Sequence, residues 1–218
     1  MNMKMLHLAI LGGAFLFSIS AFAQPENVFN HCPPEGKVSA TGPNDPDLNR
    51  AKNRIEIPDS FEDVKLADLI QLEIPKGISP ERWRKDWPKE TLEKVRIQER
   101  RAVRTEGYVV KGFPGGQESA NCYSPKGDFH LLLAESPEDD RSKGMITETT
   151  PRIQEWHPNW EHERLQKLAD DRAYVRLSGW LMMDQDHVNL IGRGAATSWE
   201  IHPILKIEVL EKGNWKEL

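Results

Sequence analysis

Two short motifs each place a carboxylate and an imidazole two residues apart, Asp128-x-His130 and Glu200-x-His202. Residues two apart lie on the same face of a β-strand, so each motif presents an acid beside an imidazole on rigid backbone. Glu148 adds a carboxylate from a third β-rich segment. Imidazoles and carboxylates together are ligands for zinc, manganese or iron. The sequence therefore predicts a metal-ligating patch made of these five residues.

This patch has two interpretations. A bound ion with an open coordination position would activate water, as in a metal-dependent phosphodiesterase or nuclease. Alternatively, the five side chains are solvated on an exposed strand face, or paired with Arg152, Arg176 and Lys206. Because acidic residues and histidines often occupy exposed strand faces, the sequence favours the second interpretation, and the first stays open.

The segment that carries Glu200 and His202 alternates in polarity. Ile201, Leu205 and Ile207 form an apolar row, while Glu200 and His202 belong to the polar row. A period of two is typical of a strand with one buried face. We expect the polar row to face outward.

The region after residue 101 predicts a barrel. β-rich runs and turn residues give three strands, a helix and two further strands, at 103–110, 128–134, 145–150, 156–171 (the helix), 173–183 and 199–209. This order is that of a five-stranded OB-type barrel (β-β-β-α-β-β), so the fold class is mainly β with helices. In such a barrel the third strand lies between the second and the fifth, which would bring the patch together.

The long connections of an OB barrel hold its ligands, and here they are 111–127 and 184–198. Glu118 and Asn121 in the first, Arg193 in the second, and Arg152 after the third strand are candidate ligand-binding residues. Glu118 and Asn121 have an alternative role, which is to hydrogen-bond the backbone of a glycine-rich loop.

The second connection also contains Asp184, Asp186 and His187. Their spacing is similar to the start of a calcium-binding loop, but the glycine and distal glutamate of that loop are missing. A calcium site is therefore not predicted.

The amino terminus resembles a signal peptide. Lys4 precedes an apolar run, and Ala21-Phe22-Ala23 fits the pattern that signal peptidase recognises. We therefore expect cleavage after Ala23, a periplasmic or secreted protein, and no stable membrane insertion afterwards.

The rest of the chain is expected to have two parts. Residues 24–101 form an arm, extended to about residue 50, followed by a helical extension, and residues 102–218 form the barrel. In an oxidising compartment Cys32 and Cys122 favour a structural disulfide.

Charge narrows the choice of partners. The formal net charge is -5, which disfavours non-specific binding to nucleic acid. Single-stranded nucleic acid nevertheless stays an alternative, since Tyr108, Trp180 and Trp199 could stack on bases.

A set of motifs spanning residues 52–209 resembles a group of uncharacterised exported bacterial proteins with an OB-fold-like barrel. The motifs are Lys52-Asn53-Arg54, Glu106-Gly107-Tyr108, Glu118-Ser119-Ala120-Asn121-Cys122, Asp128-Phe129-His130, Glu148-Thr149-Thr150-Pro151-Arg152, Ser178-Gly179-Trp180 and Trp199-Glu200-Ile201-His202-Pro203. The resemblance implies no particular activity. The resemblance implies a second cysteine at position 120, where this chain has alanine. Cys32 is therefore the expected partner of Cys122.

These observations predict an exported OB-fold binding module for a small ligand, a glycan or a protein. A metal-dependent hydrolase is the first alternative, and a single-stranded nucleic-acid binder is the second.

Overall fold

The computed structural model describes residues 31–37 and 45–218. The expected signal peptide, at 1–23, lies outside them. Within the described part, no helix has both the length and the apolar character needed to cross a bilayer.

The described chain contains five α-helices and seven β-strands. The helices are α1 (Pro46–Lys52), α2 (Leu66–Ile70), α3 (Lys89–Glu99), α4 (Pro151–Gln154) and α5 (His162–Asp170). The strands are β1 (Glu62–Asp63), β2 (Ala102–Pro114), β3 (Phe129–Ala134), β4 (Met145–Thr149), β5 (Tyr174–Met183), β6 (Trp199–Glu211) and β7 (Asn214–Glu217). Three 3-10 helices, Arg84–Asp86, Arg141–Lys143 and Gln185–Leu190, lie in the connections.

Five of the strands close into a barrel, which confirms the predicted OB-type fold. The strand β2 pairs antiparallel with β3, β3 antiparallel with β4, β4 parallel with β6, and β6 antiparallel with β5. Antiparallel pairing of β5 with β2 completes the ring. The helices α4 and α5 lie between β4 and β5 in the chain, where the OB order requires a helix.

Apolar side chains at alternate positions along the strands fill the barrel interior. Leu131 and Leu133 of β3 and Ile201 of β6 belong to one large apolar core and are fully buried. Leu165 of α5 joins the same core. Burying each such side chain contributes about 1.5–3 kcal/mol to the free energy of folding. The inward-facing apolar residues therefore favour closure of the barrel.

The outer face of β3, β4 and β6 is also covered. Leu132 and Ile146, which alternate with core residues, pack with Ala195 from the connection between β5 and β6. Glu200 and His202, expected on an outward polar row, are both fully buried. The expectation of exposure was therefore wrong, because the long connections and the N-terminal extension fold over this face.

The N-terminal extension is fixed to the barrel by covalent and polar contacts. Cys32 and Cys122 form a disulfide, as predicted, with a Cα–Cα distance of 5.8 Å. The arm, expected to be extended to about residue 50, is helical from Pro46 onward. Asp45 caps this helix by accepting a hydrogen bond from the Asp47 backbone, and Pro46 occupies its first turn, a favourable position.

Candidate metal centre

Three of the five predicted ligands meet on the covered face of the barrel. His130 and Glu148 are register partners on β3 and β4, and His130 Nε2 lies 2.8 Å from Glu148 Oε1. His202 of β6 approaches the other oxygen, with Nδ1 3.3 Å from Glu148 Oε2. Glu148 therefore lies between the two imidazoles, because β4 separates β3 from β6.

Asp128 and Glu200 complete the predicted set. His202 Nε2 lies 3.9 Å from Asp128 Oδ2, and its Nδ1 lies 3.7 Å from Glu200 Oε2. The other oxygen of Asp128 accepts a hydrogen bond of 2.9 Å from Asn121 Nδ2. The structure thus brings together all five residues, with His202 near the middle.

Three further residues belong to the same cluster. His187, in the 3-10 helix after β5, places Nδ1 2.5 Å from Glu200 Oε1 and 3.7 Å from Asp184 Oδ2. Lys52, the last residue of α1, places Nζ 3.0 Å from Asp184 Oδ2 and donates a hydrogen bond of 3.1 Å to Glu118 Oε2. The sequence held one signal, the i,i+3 spacing of Asp184 and His187, which puts both on one side of a 3-10 turn.

Burial divides the cluster into an inner and an outer part. The side chains of Asp128, Glu148 and His202 have no exposed surface. His130 retains 8% of its side-chain exposure and His187 21%. The outer imidazoles are consequently the part of the cluster that solvent reaches.

The buried carboxyl groups respond differently to their surroundings. Burial raises the pKa of Asp128 to about 7. Burial also opposes ionisation of Asp184, but the Lys52 ammonium and the His187 imidazolium together outweigh it and lower the pKa of Asp184 to about 2. In Glu148 burial is outweighed by His130 and His202, which hold the pKa of this carboxyl well below its usual range.

The imidazoles gain protons in this environment. Burial favours neutral His187, but the Glu200 carboxylate outweighs it and raises the pKa of His187 to about 10. Burial likewise opposes a charge on His130 and His202, but the surrounding carboxylates, with Glu148 contributing most, together outweigh burial and raise both pKa values. Without a metal ion, protonated imidazoles therefore supply the positive charge that the carboxylates require.

Many ligand atoms of the cluster lack hydrogen bonds. Among the described residues, these fully buried atoms include both carboxylate oxygens of Glu148, both ring nitrogens of His202, and one oxygen each of Asp128, Asp184 and Glu200. Buried polar atoms are nearly always hydrogen-bonded, so such a concentration requires a cause. The nitrogen and oxygen atoms around His202 lie 3.3–3.9 Å apart, which is longer than an ordinary hydrogen bond.

These separations match the edges of a coordination shell. Metal–ligand distances of about 2.0–2.2 Å place neighbouring ligand atoms about 3–3.5 Å apart. The observed contacts of His202 with Glu148, at 3.3 Å, and with Glu200, at 3.7 Å, are close to that range. Within residues 31–37 and 45–218, three groups have ligand atoms all within 4.8 Å of one another: His130, Glu148 and His187; Asp128, Glu148 and His202; Asp184, His187 and Glu200.

The four candidate ligand-binding residues lie in different places. Asn121 and Glu118 contact the cluster through Asp128 and Lys52. The Arg152 guanidinium is buried and donates to Asn53 Oδ1 at 2.9 Å and to the carbonyl oxygens of Cys32 and Pro33, so it holds the arm. Arg193 is exposed and donates to the Asn189 carbonyl.

A cavity of 280 Å³ adjoins the outer part of the cluster. Its lining includes Lys52 and His187 together with three carboxyl groups, those of Asp45, Glu118 and Asp186. The volume is slightly below that of ordinary small-molecule sites, which are about 300–1,000 Å³. An acidic lining attracts cations and repels anions.

Comparisons with known proteins add little. Neither the models of known protein families nor the curated proteins give a match. A crystal structure of a Leishmania major Friedlin protein, provisionally described as an aspartyl-tRNA synthetase, is similar at 9% sequence identity and a TM-score of 0.32. The similarity covers 84% of this chain and 24% of that protein. At this level it carries no functional inference.

Proposed function

We propose that this protein is an exported OB-fold binding module whose ligand is a divalent transition-metal ion. The ion binds at the inner group, Asp128, Glu148 and His202, on the face that OB barrels use for their ligands. The supporting observation is the set of buried ligand atoms that converge there without hydrogen bonds.

The charge of the cluster supports the proposal. Its carboxyl groups are those of Asp128, Glu148, Asp184 and Glu200, and two more, those of Glu118 and Asp186, lie beside it. Lys52 is the ammonium group that accompanies them, so neutral imidazoles leave a large excess of negative charge. Unpaired buried charge is costly, and a divalent cation offsets that cost.

The donor types favour a transition metal. Calcium takes six to eight oxygen ligands, whereas imidazole nitrogen mixed with carboxylate suits zinc, manganese or iron. His202 stands among three carboxylates at distances of 3.3–3.9 Å. We expect Zn²⁺, Mn²⁺ or Fe²⁺ to bind more tightly than Ca²⁺.

Metal binding fits the site better than hydrolysis of a phosphodiester or binding of nucleic acid. The inner ligands have no exposed surface, so a substrate has no path to an ion held by them. Carboxyl groups outnumber the two basic groups, Lys52 and His187, in the lining of the nearby cavity, and this balance does not favour phosphate groups. An ion held by fully buried ligands is expected to stay bound as a structural ion and not to act in catalysis.

Export is consistent with the disulfide between Cys32 and Cys122, because disulfides persist in oxidising compartments. Export stays part of the proposal.

The test is calorimetric titration of the protein beginning at Gln24, with its disulfide intact and its metal removed by chelation. Titration with Zn²⁺ should give saturable binding, and His202→Ala should abolish or greatly weaken the inner site. Because an ion displaces protons from the imidazoles, binding should release protons and weaken as the pH falls below the raised pKa values. Repeating the titration in buffers of different ionisation enthalpy measures that release.

A matched control is His157→Ala, which removes a partly exposed histidine stacked on Trp160 and outside the three groups. It should bind Zn²⁺ like the wild type. Absence of Zn²⁺, Mn²⁺ and Fe²⁺ binding by the folded wild-type protein would refute the proposal. Equal binding by folded His202→Ala would refute the inner site.

A further inference from the structure

Glu148 faces two different imidazoles with its two oxygens. Oε1 lies 2.8 Å from His130 Nε2, and Oε2 lies 3.3 Å from His202 Nδ1. If Glu148 bound only one ion, a different nitrogen partner at each of its oxygens would not be expected. One oxygen for each of two ions is the arrangement of a bridging carboxylate, and two-metal sites hold their ions about 3.5–4 Å apart.

Glu200 repeats this arrangement from β6. Its Oε1 lies 2.5 Å from His187 Nδ1, and its Oε2 lies 3.7 Å from His202 Nδ1. Both glutamates thus point one oxygen to the inner histidine and the other to an outer histidine. The two outer histidines are near each other, with ring centroids 6.2 Å apart.

We propose that the cluster holds two metal ions bridged by Glu148. The inner ion binds Asp128, His202 and Glu148 Oε2, and the outer ion binds His130, His187 and Glu148 Oε1. In each residue set, one ligand atom from every residue lies within 4.8 Å of the others, and Glu148 belongs to both sets. This inference rests on the proposed function, because the inner site is the one described there.

The number of carboxylates supports a second ion. The cluster and the two carboxyl groups beside it, those of Glu118 and Asp186, together hold six carboxyl groups against one ammonium group, that of Lys52. One divalent ion neutralises two negative charges and leaves most of the excess, whereas two ions neutralise four. Asp184, 3.7 Å from His187 Nδ1, adds its charge on the side of the outer ion.

The two ions should differ in access to solvent. The inner ligands are sealed, whereas His187 is partly exposed and lines the acidic 280 Å³ cavity. A hydrated cation entering there would meet the outer site first. The outer ion is consequently the exchangeable one, and it can take a ligand from solvent such as water.

The experiment measures metal stoichiometry in the intact, disulfide-bonded chain that begins at Gln24. The apo protein is saturated with Zn²⁺, freed of excess ion, and examined by native mass spectrometry. We expect two ions per chain in the wild type, one in His187→Ala, and two in the control His157→Ala. Chelator should remove the two wild-type ions in a fast and a slow phase, and the fast phase should be missing from His187→Ala.

A second measurement does not depend on any variant. In the wild type loaded with Mn²⁺, electron paramagnetic resonance should show a magnetically coupled pair rather than the signal of isolated ions. One ion per chain with an uncoupled signal would overturn the two-ion centre. If that single ion is lost in His202→Ala and kept in His187→Ala, the proposed function stands. A wild-type chain that binds no ion would overturn both proposals.

Discussion

Replacing Asp128 by Asn should stabilise the metal-free protein at neutral and alkaline pH. The Asp128 carboxyl is fully buried, and burial raises its pKa to about 7. The asparagine retains an oxygen that can accept the hydrogen bond from Asn121 Nδ2, so the substitution removes mainly the charge. Asparagine has nearly the same shape as aspartate. If this substitution stabilises the metal-free protein, the Asp128 carboxylate costs stability that a bound cation would offset.

The magnitude follows from the pKa. In an unfolded chain an aspartate has a pKa of about 3.9, so between that value and about 7 the folded protein binds a proton that the unfolded chain has released. The free energy of unfolding therefore falls as the pH rises through this interval. At about 1.4 kcal/mol per unit over roughly three units, the wild type loses about 4 kcal/mol that Asp128→Asn retains.

The assay is urea unfolding followed by tryptophan fluorescence, in EDTA and without reductant, from pH 4.5 to 8.5. The advantage of Asp128→Asn should be small at the acid end and approach about 4 kcal/mol at pH 8.5. Asp59→Asn, on an exposed aspartate, is the matched control and should change little. Zn²⁺ at a hundredfold excess over its dissociation constant should restore about 2.7 kcal/mol to the wild type and less to Asp128→Asn. Equal stability of the two proteins in EDTA at pH 8.5 would refute the reasoning.

Two further substitutions test the contacts that hold the cluster and the arm. Lys52→Met should destabilise the metal-free protein by about 3–5 kcal/mol in the same urea assay. The reason is that Asp184 and Glu118 lose their buried ammonium partner. A loss below about 1 kcal/mol would contradict this. Replacing Cys32 and Cys122 by Ser should lower the free energy of unfolding by about 2–5 kcal/mol, since the bridge closes a sequence separation of 90 residues. Thiol titration of the unfolded wild type should find no free thiol, and two free thiols would show that the bridge is absent.

The barrel could be predicted because its determinants are local. Alternating polarity and turn residues placed the second and fourth strands within a residue or two of β3 (Phe129–Ala134) and β5 (Tyr174–Met183). Two small elements were missed. The strand β1 has two residues, and β7 forms a hairpin with β6 whose turn, at Lys212 and Gly213, has positive φ at both positions. A Lys-Gly pair after an alternating strand was the available signal.

The helix α1 (Pro46–Lys52) shows how a local signal was overlooked. Asp45 followed by Pro46 is a cap and a first helical residue, but the surrounding glycines and prolines favoured an extended arm. The consequence reached the site, because this helix delivers Lys52 to Asp184. Without this helix, the sequence gives no position for Lys52 relative to Asp184.

The sequence by itself determined which acids and imidazoles share a strand face, because that depends only on the period of two along a strand. Asp128 with His130 and Glu200 with His202 were identified in this way. The tertiary structure decided that this face is buried and that His187 and Lys52 join it. His202 lies 150 residues from Lys52 in the chain, and no local pattern reports which distant segment covers a strand. The physical character of the site, buried charge in place of solvated charge, therefore comes from the long-range packing of loops and α1 over β3, β4 and β6.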